Sequence, residues 1–104
     1  MLVLDKKCVF HVPLFKFEDG NLMRIDCDVI RDLVDRLDSH SLYITKVKSH
    51  YRNRSYDELL FTLFTSSDEH PEEIFKCWFE KNNDVLCQES FAFELDGKMY
   101  IERL

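Results

Sequence analysis

Leu42–Ser67 reads LYITKVKSHYRNRSYDELLFTLFTSS and contains two strand-like halves separated by a polar turn. Leu42–Tyr51 and Tyr56–Thr65 are rich in β-branched and aromatic residues, which favour strands. The four residues between them, Arg52–Ser55, are typical of a hairpin connection. Because both faces of this hairpin carry large apolar side chains, the sequence predicts that it is central and covered on both sides.

The same pattern predicts a register for the hairpin. With Asn53-Arg54 at the tip, Tyr51 lies opposite Tyr56 on one face, and other apolar pairs continue along that face. The second face then places Phe61 opposite a lysine of the first strand.

Further elements are predicted on both sides of the hairpin. In chain order they are a long strand (Cys8–Phe17), a turn at Asp19-Gly20, a short strand (Leu22–Ile25), a helix reaching Leu37, a helix from Pro71, a strand (Val85–Leu95) and a strand (Lys98–Arg103). Helical spacing of apolar residues indicates the first helix, and Pro71 with two following glutamates marks the start of the second. The order predicts an α+β fold: a ferredoxin-like split β-α-β-β-α-β sandwich, with one antiparallel sheet, two helices on one face and extra hairpin strands.

Three segments carry a resemblance to known proteins. They are VPLF followed by DGN before the first helix, SHYRNRSYDELLFTLF in the central hairpin, and QESFAFELDGKMYIE near the end. In these segments the chain resembles a group of small prokaryotic proteins whose function is not known. The resemblance implies a ferredoxin-like fold and no particular chemistry.

Length and composition limit the possible function classes. With 104 residues the sequence predicts a single domain, 1–104, that holds a core without metal or disulfide staples. A net charge of −6 keeps such a protein soluble and repels phosphate backbones, so a nucleic-acid partner is not expected. No apolar stretch is long enough to span a bilayer, and no membrane association is expected.

The cysteines and the first residues predict a compartment. Cys8, Cys27, Cys77 and Cys87 show no compact disulfide spacing, and the apolar run before Asp5 is too short for a signal peptide. A cytoplasmic protein with reduced thiols is therefore expected.

Catalytic and metal-binding motifs are missing from the sequence. It has no nucleophile elbow, phosphate loop, dinucleotide fingerprint or zincin motif. Cys8 and His11 have the spacing of a ligand pair, but an offset of three on a strand places them on opposite faces. No catalytic residue, metal or cofactor is predicted.

One set of basic residues shares a parity along the central hairpin: Lys46, Lys48, His50, Arg52 and Arg54. While the strand continues, these side chains project from one face and form an anion- or ligand-binding candidate. The alternative is an ordinary charged strand that is neutralised by Asp57 and Glu58 across the hairpin.

A second set forms a pocket candidate. Tyr51, Tyr56 and Glu58 gather near the hairpin tip, and His11 lies on the first strand. A carboxylate beside phenols and an imidazole suits acid–base chemistry if water is excluded. The alternative is a polar rim whose groups satisfy one another.

The apolar residues of the hairpin also suggest an assembly. If the helices cover one face of the sheet, the other carries Ile44, Leu59, Phe61 and Leu63, and leaving these exposed is costly. A homodimer through that face is expected, with Phe61 near its centre. The predicted function is a non-enzymatic interaction module (an adaptor, inhibitor or immunity-type protein) with a possible protein partner. The alternative is a ferredoxin-like dimer with a small-molecule pocket, acting as an enzyme or ligand sensor.

Overall fold

The computed structural model describes residues 3–37, 41–51 and 53–104, without the side chain of residue 51. The described residues form seven strands and three helices. They are β1 (Lys6–Pro13), β2 (Phe15–Glu18), β3 (Asn21–Arg24), α1 (Cys27–Leu37), β4 (Ser41–Tyr51), β5 (Arg54–Thr65), α2 (Pro71–Lys81), α3 (Asn83–Leu86), β6 (Ser90–Leu95) and β7 (Lys98–Arg103). This confirms the coarse prediction of an α+β fold.

The main sheet is antiparallel and has the order β4-β5-β1-β6-β7. β2 and β3 form a separate two-stranded sheet. Side chains that alternate along the main sheet point to opposite faces, and one of these faces is covered by α1 and α2. We call the other face of the main sheet the open face.

The core between the sheet and the helices is aromatic. Phe10 of β1 stacks on Phe75 of α2 with ring centroids 4.7 Å apart, and both side chains are fully buried. The buried indole of Trp78 donates a hydrogen bond from Nε1 to the carbonyl of Val29 (2.9 Å), so its polar atom is satisfied while it joins α2 to α1. These contacts fix both helices over the same face.

Two predicted strands are shorter than expected. The long first strand is broken at Leu14, whose carbonyl accepts a hydrogen bond from the Ile25 amide (2.9 Å), and the chain turns there into the β2–β3 hairpin. The strand predicted from Val85 begins only at Ser90, because the chain first forms α3. Cys87 ends that helix in the left-handed conformation, with φ of 53°. Apolar content alone did not distinguish these turns from strand.

The predicted hairpin forms, but the prediction that it is central and covered on both sides is wrong: β4 lies at the edge of the sheet, and Tyr43 on its open face is 61% exposed. The register of the hairpin also differs from the prediction by two residues. Tyr51 pairs with Arg54 rather than with Tyr56, which leaves a two-residue connection. Asn53 in this connection has φ of 62°, a conformation that such short hairpins require. A shift of two residues preserves which side chains of the two strands share a face, except that Arg54, predicted on the face of Lys46 and Lys48, pairs with Tyr51 and lies on the opposite face.

The predicted dimer surface is wrong for its central residues. Phe61 and Leu63 are fully buried beneath the helices, and Leu59 packs against the same core. Ile44 shares their face and is 46% exposed. Both faces of the hairpin are apolar, so alternation could not decide which of them the helices cover. Self-association and a protein partner stay predictions, without an assigned surface.

Candidate functional site

His11 occupies the middle of the open face. Its neighbours Phe10 and Val12 are fully buried in the core, so alternation along β1 directs the imidazole away from the helices. β1 lies between β5 and β6, and each of these strands supplies a carboxylate. His11 Nδ1 lies 3.2 Å from Glu58 Oε1, and Nε2 lies 3.0 Å from Glu94 Oε2.

This arrangement favours the protonated imidazole. A neutral histidine has only one N–H, whereas an imidazolium donates from both nitrogens and therefore satisfies both carboxylates. The hydrogen bond with Glu58 is the largest cause that raises the pKa of His11 above its ordinary value. The bond with Glu94 adds to it, and partial burial opposes both. The protonated cluster carries one positive and two negative charges.

A pH titration is expected to reveal this pairing. The His11 pKa should exceed its unfolded value of about 6.5, and Glu58→Gln should lower it more than Glu94→Gln does. Because the folded pKa is raised, the stabilisation is complete below the unfolded pKa and is lost as pH rises through the folded pKa. Histidine ring shifts of His11 measured by NMR give the pKa. A wild-type His11 pKa at or below the unfolded value would contradict the pairing.

A polar cleft lies beside this cluster. Its volume is about 760 Å³, and its walls come from β2, the β2–β3 turn, the start of β5 and the segment 87–90. A smaller cavity of about 220 Å³ is lined by His11 and Glu58. The cleft and this cavity share a wall formed by Tyr56, Gln88 and Ser90. A ligand bound in the cleft can therefore extend toward Glu58.

The cleft has aromatic walls that local contacts hold in place. The rings of Phe17 and Tyr56 meet edge to face with centroids 6.0 Å apart. Arg54 donates a hydrogen bond to the Gly20 carbonyl (3.4 Å), which joins the β2–β3 turn to the start of β5. Asp19 and Gly20 in this turn both have positive φ, and no side chain fills the space beside Gly20. Such walls suit a planar ring bearing polar substituents.

The structure brings three of the four predicted pocket residues together. His11, Tyr56 and Glu58 line the smaller cavity, and the side chain of Tyr51 lies outside the described residues. Sequence reasoning missed Glu94. Its alternation with the buried phenylalanines of β6 indicated its face, but the pairing of β6 with β1 could not be read from the sequence.

The basic residues of the hairpin do not form one free stripe. Lys46 and Lys48 both contact Asp57, at 3.4 Å and 2.9 Å. The hydrogen bond from Lys48 is the largest cause that lowers the pKa of Asp57. His50 shares a hydrogen bond with the Ser55 hydroxyl (3.0 Å), and Arg54 bonds the β2–β3 turn as described above. The remaining predicted residue, Arg52, lies outside the described residues. A role of this set in anion binding stays a prediction.

Other site classes find no support in the described ranges. No three metal-ligating side chains there form a group that could hold a metal ion. All four cysteines are free; Cys8 is buried and the other three are exposed. Within the same ranges, no helix has the length and apolar character needed to cross a membrane. The cytoplasmic location and the absence of a cofactor stay predictions.

Comparison with known proteins identifies a likeness in structure alone. No protein-family model matches the chain, and no curated protein matches it. A phage SAM lyase, solved in complex with S-methyl-5′-thioadenosine, has a similar fold. The likeness has a TM-score of 0.53 and covers 95% of this chain and 89% of the lyase, with 11% sequence identity. At this identity it shows the fold and carries no residue roles.

The comparison contradicts the prediction of a non-enzymatic interaction module. A solved structure that shares this fold over nearly the whole chain is that of an enzyme with a small molecule bound. The predicted alternative, a fold with a small-molecule pocket, agrees better with this likeness and with the cleft. Short active-site motifs are absent from the sequence, and the cleft is assembled from three separate segments, residues 15–20, 54–56 and 87–90.

Proposed function

We propose that this protein is a small-molecule enzyme that acts on an adenosyl sulfonium compound of the S-adenosylmethionine type. The proposed site is the cleft together with the group of His11, Glu58 and Glu94 on the open face, which we call the carboxylate cluster. The observation that carries the proposal is the shared wall: Tyr56 lines both the aromatic cleft and the cavity that holds His11 and Glu58. The likeness in fold to a SAM lyase supports the same class of ligand.

The finer fold assignment belongs to the same proposal. We assign the four strands β4, β5, β1 and β6 with α1 and α2 to the ferredoxin-like arrangement, with β7 and the β2–β3 hairpin as additions. Two connections support this assignment. The connection through α2 joins β5 to β6, which lie on either side of β1. The connection that contains α1 ends at β4, and β5 lies between β4 and β1. Such split crossovers are characteristic of that arrangement.

Charge supports a cationic ligand. A SAM-type ligand carries a sulfonium, an ammonium and a carboxylate, and its net charge is positive. The cluster of Glu58, Glu94 and protonated His11 has a net negative charge, and the whole protein carries −6. An acidic cleft in an acidic protein attracts a cation at long range and pairs with it at short range.

Size and shape support the nucleoside part of the ligand. A volume of about 760 Å³ falls in the range of small-molecule sites, about 300–1,000 Å³. The edge-to-face pair of Phe17 and Tyr56 offers an aromatic surface to a purine, and the polar residues Gln88 and Ser90 line the same cleft. With its purine against Phe17 and Tyr56, the ligand would place its sulfur near the wall that the cleft shares with the smaller cavity.

The chemistry follows from the charge on sulfur. A lyase breaks a carbon–sulfur bond without water, and the bonding electron pair remains on sulfur, which becomes a neutral thioether. When the other product forms a double bond, it releases a proton that a base must accept. Glu58 borders the smaller cavity and is the residue we assign to this role, with His11 as its positioning partner.

Calorimetry of ligand binding tests the proposal. S-methyl-5′-thioadenosine and S-adenosylmethionine are expected to bind the wild-type protein. Tyr56→Ala should weaken both by about tenfold, because an aromatic wall of the cleft is lost. Tyr43→Ala is the matched control, since Tyr43 is 61% exposed on β4 and lines neither the cleft nor the smaller cavity. Absence of binding at millimolar ligand, or equal weakening by both substitutions, would rule out this assignment.

A further inference from the structure

A second cavity lies where α1 begins, on the helix-covered side of the sheet. Its volume is about 360 Å³, and its apolar walls are Leu14, Phe15, Ile30 and Leu59. We call it the α1 cavity. Phe15 also borders the cleft, but no residue of the carboxylate cluster lines the α1 cavity. It is therefore not used by the proposed function.

The polar residues at its mouth are mostly basic. Arg24, Lys46 and the acidic Asp57 line the cavity, and Arg24 is exposed with no ion pair or hydrogen bond of its side chain within the described part of the chain. Lys46 contacts Asp57 at 3.4 Å, but the same carboxylate also binds Lys48 at 2.9 Å. One acid thus serves two lysines, and the mouth keeps a positive charge in a protein of net charge −6.

The start of α1 does not supply the anion site. The Asp26 carboxylate accepts a hydrogen bond from the Asp28 amide (2.9 Å), and the Asp26 carbonyl accepts one from the Val29 amide (3.1 Å). The amide groups of Asp28 and Val29 at the start of the helix are therefore already occupied. An anion at this mouth would be bound by the side chains of Arg24 and Lys46.

We propose that the α1 cavity binds a small amphipathic anion: a single carboxylate joined to an apolar body of medium length. The carboxylate lies between Arg24 and Lys46, where two charge-assisted hydrogen bonds replace its hydration. The apolar body lies against the floor formed by Ile30 and Leu59. The α1 cavity falls at the lower end of the volume range of small-molecule sites. The proposal is independent of the reaction assigned to the cleft.

The exposed cysteines allow a test that distinguishes the two sites. Cys27 lines the α1 cavity, Cys87 lines the cleft, and Cys77 lines neither. Burial raises the pKa of the Cys8 thiol to about 11, so this group does not react at neutral pH. Alkylation rates of the three exposed thiols are measured by peptide mass spectrometry, with octanoate as the probe. Octanoate is expected to slow alkylation of Cys27 and to leave Cys77 and Cys87 unchanged.

Two control ligands test separately the charge and the apolar body of the proposed ligand. 1-Octanol has the apolar body without the charge, and inorganic phosphate has the charge without the apolar body. Both are expected to protect Cys27 at least about tenfold less effectively than octanoate, because each lacks one set of contacts. Equal protection by octanol would contradict the anion requirement, and equal protection by phosphate would contradict the apolar one.

A charge substitution completes the test. Arg24→Gln should weaken octanoate binding about tenfold, since the ligand loses a charge-assisted hydrogen bond. Arg103→Gln is the matched control, because Arg103 is exposed at the end of β7 and does not line the α1 cavity. Unchanged affinity in Arg24→Gln, or no protection of Cys27 at saturating octanoate, would overturn the proposal. Adenosyl ligands binding at the cleft would not affect this outcome.

Discussion

Replacing Phe61 by alanine is expected to lower the free energy of unfolding by about 3–5 kcal/mol. Phe61 on β5 is fully buried beneath the helices and lies opposite Phe10 of the neighbouring strand β1. Removing its ring leaves a cavity that the surrounding aromatic side chains cannot close without repacking. Phe61→Glu should not fold, because it places an unpaired charge in the core.

Phe64 provides the matched control for this prediction. It lies three residues further along β5, on the open face, and is 37% exposed. Phe64→Ala should lower the free energy of unfolding by far less than Phe61→Ala, since a partly exposed side chain has less apolar surface to lose. Urea denaturation followed by circular dichroism gives both values. Similar losses for the two substitutions would mean that the helices do not cover the Phe61 face.

Replacing Glu58 by glutamine is expected to reduce turnover of S-adenosylmethionine by at least about a hundredfold. The amide keeps the size of the side chain but cannot accept the proton released during lyase cleavage. It also removes one of the two carboxylates that pair with His11. Release of S-methyl-5′-thioadenosine, measured by chromatography and mass spectrometry, gives the rate.

A control substitution and an unfolding measurement show whether a loss of turnover comes from the lost carboxylate or from a loss of stability. Glu80→Gln is a matched change on α2, where Glu80 is exposed and lines neither the cleft nor the smaller cavity. It should leave turnover unchanged, and both variants should unfold as cooperatively as the wild type. If the Glu58→Gln protein turns over substrate as fast as the wild type, the assignment of Glu58 as the base is wrong. Ligand binding at the cleft is tested separately by calorimetry.

Local signals were enough to predict most elements of the fold. Pro71 followed by acidic residues identified the start of α2, and the Asp-Gly pairs identified the turns after β2 and β6. Alternating apolar residues identified the hairpin and grouped most of its side chains correctly, although the register was shifted by two and the face covered by the helices was predicted wrongly. These features depend on neighbouring residues, and the sequence contains them directly.

Features that depend on distant segments could not be predicted. Phe61 and Phe64 are both large aromatic residues on β5, and only the packing of α2 decides which of them is buried. The carboxylate cluster needs the pairing of β1 with β5 and β6, so Glu94 comes within 3.0 Å of His11 across 83 residues of chain. The cleft also depends on the break at Leu14, which turns β2 away from the main sheet.

The central claim is that an adenosyl ligand occupies the cleft beside the carboxylate cluster. Titration of the ¹⁵N-labelled protein with S-methyl-5′-thioadenosine, followed by NMR, locates the ligand directly. The account predicts that amide shifts concentrate in residues 15–20, 54–58 and 87–90, which form the cleft and its shared wall. Shifts confined to the start of α1 and the neighbouring part of β4, or no shifts at saturating ligand, would contradict it.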